Sequence, residues 1–172
     1  MAAHSTNPND DELPPLVVTS FDQLNFLLID DDAVCLDVME TMLKSVSVGS
    51  IHKASSVFAD ASVLANQNIK IDGIMCDHHM DGMTGLALLQ RIRAGKNAIV
   101  PRDLRFILVT GDTSPELVYA AVRLDVSGFI TKPMGMTPMV KTIHHAFGRA
   151  TRLKPAMDYT KVALPTQQPL HS

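Results

Sequence analysis

Asp30, Asp31 and Asp32 form a run of three carboxylates directly behind the apolar stretch Phe26-Leu27-Leu28-Ile29. Asp77 ends a second apolar stretch, DGIMCD. Thr110 ends a third, RFILVT, and Lys132 follows a fourth, SGFIT. Carboxylates brought together raise one another's pKa unless a cation relieves the repulsion. Hard oxygen donors select Mg²⁺ or Mn²⁺ over zinc, and Mg²⁺ takes few carboxylates and keeps open positions. One such position suits a phosphoryl oxygen, with Lys132 and Thr110 able to hold the others by charge and by hydrogen bond. Each residue alone has a plainer explanation. Asp32 reads as a helix N-cap, a threonine after a strand as a turn residue, a Lys-Pro pair as loop. Their shared placement at the ends of apolar runs is what caps do not explain.

The elements that must position them alternate along the chain. Strands are expected over 25–29, 49–54, 72–77, 105–110 and 127–131. Helices are expected over 33–46, 56–66, 86–94, 115–124 and 138–149. The first helix has Cys35, Val38, Met39, Met42 and Leu43 at helical spacing, as for a core stripe. Ser114-Pro115 and Thr137-Pro138 have the form of an N-cap followed by proline at the first helical position. Five strands alternating with five helices imply an α/β fold, a doubly wound five-stranded parallel sheet covered on both faces. Ligands of such sheets bind beyond the carboxyl ends of the strands. That is the rim where Asp30, Asp31, Asp77, Thr110 and Lys132 would meet.

The 172 residues suit one domain with tails. Residues 1–22 are polar and proline-containing and read as a flexible tail. Residues 23–150 form the domain, and residues 151–172, with Pro155, Pro165 and Pro169, read as a second flexible tail. A net charge of −3 argues against a large nucleic-acid footprint. The two cysteines, Cys35 and Cys76, lie in apolar contexts and read as buried thiols. No apolar run approaches the roughly 20 residues needed to span a bilayer. The acidic start is unlike a secretory signal. A soluble cytoplasmic protein is expected.

The motifs resemble the receiver domain of two-component response regulators over about residues 24–150, a flavodoxin-like (βα)5 fold. LLIDDDAV is similar to the family's acidic pocket, with Asp30 and Asp31 as the pair. DGIMCDHHMDGMTGLALLQRIR is similar to the phosphoacceptor segment, with Asp77 as acceptor. FILVTGD resembles the switch-hydroxyl segment at Thr110, and SGFITKP the segment carrying Lys132 and the switch aromatic Phe129. The resemblance implies a single-domain response regulator. Asp77 would take a phosphoryl group from a sensor histidine kinase or a histidine phosphotransfer protein, with Mg²⁺ as cofactor and Mn²⁺ able to substitute. It implies metal contacts from Asp31, Asp77 and the His79 backbone carbonyl, with Asp30 acting mainly through water. It implies a cis Lys132-Pro133 bond. It also implies that Thr110 and Phe129 move on phosphorylation and reshape the face made by helix 115–124, strand 127–131 and helix 138–149. Such a domain labels and unlabels itself rather than turning over a separate substrate.

Departures from the family pattern are Asp81, often proline there, and Thr84, often aspartate. Both put the rigidity of the loop after Asp77 in question. His79 and Asp112 border the path of an attacking water. They read either as a pair tuning phosphoryl lifetime or as solvated loop residues. Output is expected through contact with an unknown downstream protein or onward phosphotransfer, without direct DNA binding and without a membrane. Val34 and Leu36, off the core stripe beside the acidic pocket, suit docking of a kinase or phosphotransfer helix bundle. Val118, Tyr119 and Val122 suit a switch-dependent surface. The competing readings are a receiver-like binding scaffold that is never phosphorylated and a Mg²⁺-dependent phosphohydrolase using an aspartyl phosphate. The latter usually carries Asp-x-Asp after its first strand and a cap insertion; here the aspartates are adjacent, and no insertion is long enough for a cap.

Overall fold

The structure is a computed structural model and describes residues 20–56, 69–96 and 100–166. Its sheet comprises β1 (Asn25–Ile29), β2 (Ser50–Ala54), β3 (Gly73–Asp77), β4 (Arg105–Thr110) and β5 (Gly128–Thr131). All pairs are parallel, in the order β2-β1-β3-β4-β5. The expected helix over 56–66 lies outside the described residues apart from Ser56. The described helices are α1 (Ala33–Ser45), α2 (Gly85–Arg93), α3 (Pro115–Arg123), α4 (Met136–Phe147) and a short α5 (Ala156–Thr160).

Strand side chains alternate between two cores, as the period of two demands. Phe26, Leu28, Met75, Ile107, Val109 and Ile130 pack with α1 and α4. Leu27, Ile29, Ile74, Cys76, Phe106 and Leu108 pack on the other face with α2, α3 and Tyr159 of α5. Both faces are covered, so β3 is buried throughout and β4 is buried beyond Arg105. Phe21 belongs to the first core and packs at a tilt against His144, with ring centroids 4.7 Å apart. The packed structure therefore begins slightly before the expected boundary at residue 23.

Three local expectations are corrected. Of the expected stripe of α1, Met39 and Leu43 are buried, but the third buried residue is Leu36 rather than Cys35 or Val38. Val38 is exposed and Cys35 only half-buried. Ser114 makes no side-chain cap; its own amide instead donates to Asp112 Oδ1 at 2.8 Å. The last long helix starts at Met136 with Gly135 as its cap, so Thr137 and Pro138 lie within its first turn. Proline is tolerated there because first-turn amides have no intrahelical partner.

The largest correction concerns the expected C-terminal tail. Residues 151–166 cross the amino-terminal end of the sheet and dock on α2. Tyr159 is fully buried, and Val162 and Leu164 pack against the same core. Gln90 Nε2 donates to the carbonyls of Tyr159 and Val162 at 2.8 and 2.9 Å. An anchored aromatic and satisfied backbone groups are what separate a docked segment from a loose one.

Candidate functional site

The sheet order reverses direction between β1 and β3, so the loops leaving these neighbours diverge and open a crevice. Register does the rest. Ile29 is paired with Cys76, which sets Asp30 beside Asp77; Asp77 is paired with Val109, and Thr110 with Thr131. The Lys132 amide donates to the Thr110 carbonyl at 2.9 Å, keeping Lys132 on the same rim. The Lys132-Pro133 bond is cis, as the resemblance implied.

Oxygen atoms of Asp30, Asp31 and Asp77 lie within 4.8 Å of one another. Asp30 and Asp77 are buried, and Asp31 is exposed. Lys132 Nζ stands between the two buried carboxylates, 3.0 Å from Asp30 Oδ2 and 2.9 Å from Asp77 Oδ1. Burial pushes the Asp77 carboxyl above its ordinary value, and the Asp30 charge adds to the rise against the pull of Lys132. Burial disfavours the charged Lys132, but its bonds to Asp77 and Asp30 outweigh that and hold the ammonium protonated. Three carboxylates share one cation. This is the donor chemistry a hard divalent ion fits, with one face opening through the exposed Asp31.

The surrounding loops are built for close approach. Asp32 caps α1, its Oδ1 accepting from the Val34 amide at 2.8 Å, and the Asp32 amide donates to Asp30 Oδ1 at 2.9 Å. Asp81 and Thr84 both turn out to have work at these positions. The Asp81 amide donates to Asp31 Oδ2 at 3.2 Å, a bond proline could not make. Thr84 Oγ1 caps α2 by accepting from the Ala87 amide at 3.0 Å. Gly85 was not singled out from the sequence. A Cβ there would fall 2.4 Å from the Asp77 carbonyl oxygen, so only glycine lets α2 approach the end of β3 this closely. A glycine opening a helix after a loop was the available signal.

Thr110 is fully buried, and its Oγ1 accepts from the Asp112 amide at 3.0 Å. His79 Nε2 and Asp112 Oδ2 are 3.9 Å apart across the mouth. The Ser114 amide is the main cause holding the Asp112 carboxyl low. His78, next to the acceptor position, is buried, with no hydrogen-bond partner for Nδ1 among the described residues, and burial depresses its pKa to about 4. Its imidazole is therefore neutral near neutral pH. Phe129 is half-buried and lines an apolar depression with Val118, Val122 and His145.

Of the residues expected at partner surfaces, Val34, Val118, Tyr119 and Val122 are exposed at 69%, 40%, 67% and 63%. Leu36 is not; it is buried on the inner stripe of α1. Val38, at 41%, joins Val34 on the outer face one helical turn away.

The sequence profile of the response regulator receiver domain matches residues 26–144. Chemotaxis protein CheY of Pseudomonas aeruginosa is 23% identical over 126 residues, covering 73% of this chain and 98% of its own length. Putative two-component response regulator ARR21 of Arabidopsis thaliana is 30% identical over 129 residues, covering 72% of this chain. The match spans only 19% of that plant protein. Among solved structures, CheY4 of Vibrio cholerae superposes with a TM-score of 0.60 at 21% identity, covering 72% of this chain and 98% of that one. A response regulator receiver protein of Pseudomonas putida gives 0.60 at 28% identity, covering 70% and 94%. No helix among the described residues is long and apolar enough to cross a membrane. The chain belongs to the response regulator receiver domain family of two-component systems.

Proposed function

We propose that Asp77 accepts a phosphoryl group from the phosphohistidine of a sensor histidine kinase or a histidine phosphotransfer protein. The observation that carries this is Lys132 Nζ, held 3.0 and 2.9 Å from Asp30 and Asp77. A lysine so placed can follow charge from the attacking carboxylate onto the phosphoryl oxygens without moving far. An Asp77 oxygen attacks phosphorus in line. The new O–P bond forms as the P–N bond breaks, and that electron pair returns to the imidazole of the donor. The buried Thr110 hydroxyl donates to a phosphoryl oxygen, and Lys132 pairs with another. Mg²⁺, or Mn²⁺ in its place, would be held by Asp31, Asp77 and the His79 carbonyl, with Asp30 acting through water. Bound there, it supplies neutralising charge for the carboxylates and the phosphoryl oxygens.

Loss of the group is attack by water in the same crevice, with His79 and Asp112 bordering its path and tuning phosphoryl lifetime. The chain is thus a cytoplasmic signalling domain that labels and unlabels itself. Val34 would meet the donor's helix bundle beside the acidic pocket. Val118, Tyr119 and Val122 would present the state of Thr110 and Phe129 to a downstream protein, with neither DNA nor a membrane involved.

Intact-mass spectrometry after incubation with acetyl phosphate and Mg²⁺ tests this on wild type and Asp77→Asn. One phosphoryl adduct on wild type and none on the variant is the expected result. No adduct on either would overturn the proposal and leave a binding scaffold.

A further inference from the structure

Residues 151–166 take no part in the site, yet they are pinned more closely than connection requires. Arg102 Nη2 donates to the Lys154 carbonyl at 2.8 Å. The decisive contacts fall on Asp125. Its Oδ2 accepts from the Tyr159 hydroxyl at 2.7 Å, and its Oδ1 pairs with Lys154 Nζ at 3.1 Å. Lys154 Nζ also donates to the Arg123 carbonyl at 2.9 Å, and the Lys154 amide to the Tyr159 oxygen at 2.9 Å.

Asp125 sits where α3 turns into β5. The amides of Asp125 and Val126 donate back to Val122 and Ala121 at 3.0 and 3.1 Å, closing the helix in a Schellman turn. The turn places Asp125 at φ +51°, a conformation that favours glycine. Aspartate stands there, and its carboxylate makes both contacts to the segment. Its carbonyl accepts from the buried Arg93 at 3.0 Å, so the same residue ties core, turn and segment together. Four residues later comes Phe129. Any shift of α3 against β5 must therefore carry Asp125, and with it Tyr159 and Lys154.

We propose that residues 151–166 are an intramolecular strap that restrains the turn between α3 and β5 and biases the Phe129 strand toward its unphosphorylated setting. The restraint stands on the contacts above; the link to phosphorylation rests on the phosphoacceptor reading. Coupling of this kind is reciprocal: what the strap opposes must in turn loosen the strap.

Hydrogen exchange of the full chain tests it on wild type, Asp125→Gly and Tyr159→Phe. Asp125→Gly removes both pins, leaves no core cavity and suits the positive φ, so it keeps the variant folded. Amides of 124–131 as well as those of 152–162 are expected to exchange about tenfold faster in the variants. Faster exchange confined to 152–162 would overturn the restraint. Wild type carrying an acetyl-phosphate adduct, verified by mass, is expected to show faster exchange over 152–162, with Asp77→Asn unchanged. An adduct with an unchanged strap would overturn the coupling. Absence of any adduct would instead count against the phosphoacceptor reading, and the 124–131 amides of Asp125→Gly would still decide the restraint.

Discussion

Gly85→Ala should damage both stability and site, although helix propensity says the opposite. Gly85 opens α2 with its amide donating to the His78 carbonyl at 3.1 Å. Alanine at a helical position is intrinsically better than glycine by about 0.8–1 kcal/mol. The new Cβ, however, would lie 2.4 Å from the Asp77 carbonyl oxygen and 2.9 Å from Leu108 Cδ1. Ordinary carbon contacts fall near 3.5 Å, so a shift of about 1 Å is required. Leu108 is fully buried and the Asp77 backbone is paired with β4, so neither yields easily. Overpacking costs about 1–3 kcal/mol, and a clash with a paired backbone carbonyl belongs in the upper part of that range, about 2–3 kcal/mol, so the propensity gain leaves a net loss of about 1–2 kcal/mol. With a urea m-value of about 2 kcal/mol/M, the midpoint should fall by about 0.5–1 M. The same shift displaces Asp77 from Lys132, and a misplacement of about 1 Å in a reacting group slows reaction about 100-fold. Acetyl-phosphate labelling, timed by intact mass, reads that loss. Gly111→Ala is the control, because nothing lies within 4 Å of its added Cβ, and it should stay within about 0.5 kcal/mol of wild type. A Gly85→Ala variant as stable and as quickly labelled as wild type would refute the close-approach argument.

Three further outcomes are expected. Arg93→Met should lower stability by about 3 kcal/mol in urea unfolding, because it strips donors from the carbonyls of Arg102, Leu104 and Asp125; a loss below about 1 kcal/mol would refute this. Arg93→Lys should rescue little, since an ammonium lacks the planar fork that reaches all three. Burial, then the bond to Asp125, raises the Tyr159 pKa, so the folded chain holds this proton more tightly than the unfolded one. That stabilisation is full below pH about 10 and is lost as pH rises through the folded value. Wild type should therefore lose stability more steeply above pH 10 than Tyr159→Phe, and parallel profiles would count against it. Mg²⁺ at tenfold its dissociation constant should stabilise wild type by about 1.4 kcal/mol, and Asp31→Asn should abolish most of that gain; equal gains would remove Asp31 from the metal site.

The sheet and the site were legible because both depend on local pattern. Four apolar runs end in Asp30, Asp77, Thr110 and Lys132, and parallel pairing carries the ends of such runs to one rim. The phase of α1 was only partly legible: Met39 and Leu43 fall on the expected stripe, and Leu36 does not. Ala33 to Leu36 is continuously small or apolar, and the sets Cys35-Val38-Met42 and Leu36-Met39-Leu43 fit a helical period about equally. Packing against β1 chooses the second. The strap was misread for a different reason. Its prolines and charged residues mimic a loose tail, while its burial depends on Gln90, Arg102 and Asp125, which are distant in sequence. No window around Tyr159 contains those partners. Arg93 was hidden likewise, as an ordinary basic residue in the last turn of a helix.

The two ends of the sheet place charge in opposite ways, and the contrast separates chemistry from architecture. At the amino-terminal end, cations predominate: Arg93, Arg102 and Lys154 gather around Asp125 and Tyr159. Their donors are largely spent on backbone carbonyls, including those of Leu104, Arg123 and Lys154. Charge satisfied by protein dipoles leaves little for a ligand to do there, and it holds segments in place. At the carboxyl end, three carboxylates meet one ammonium, and Asp31 stays exposed to solvent. That surplus of negative charge is a standing cost to the folded chain, and a bound cation relieves it. The charges at the amino-terminal end are met largely within the chain and those of this rim are not, and that is the deficit the proposed cation would fill.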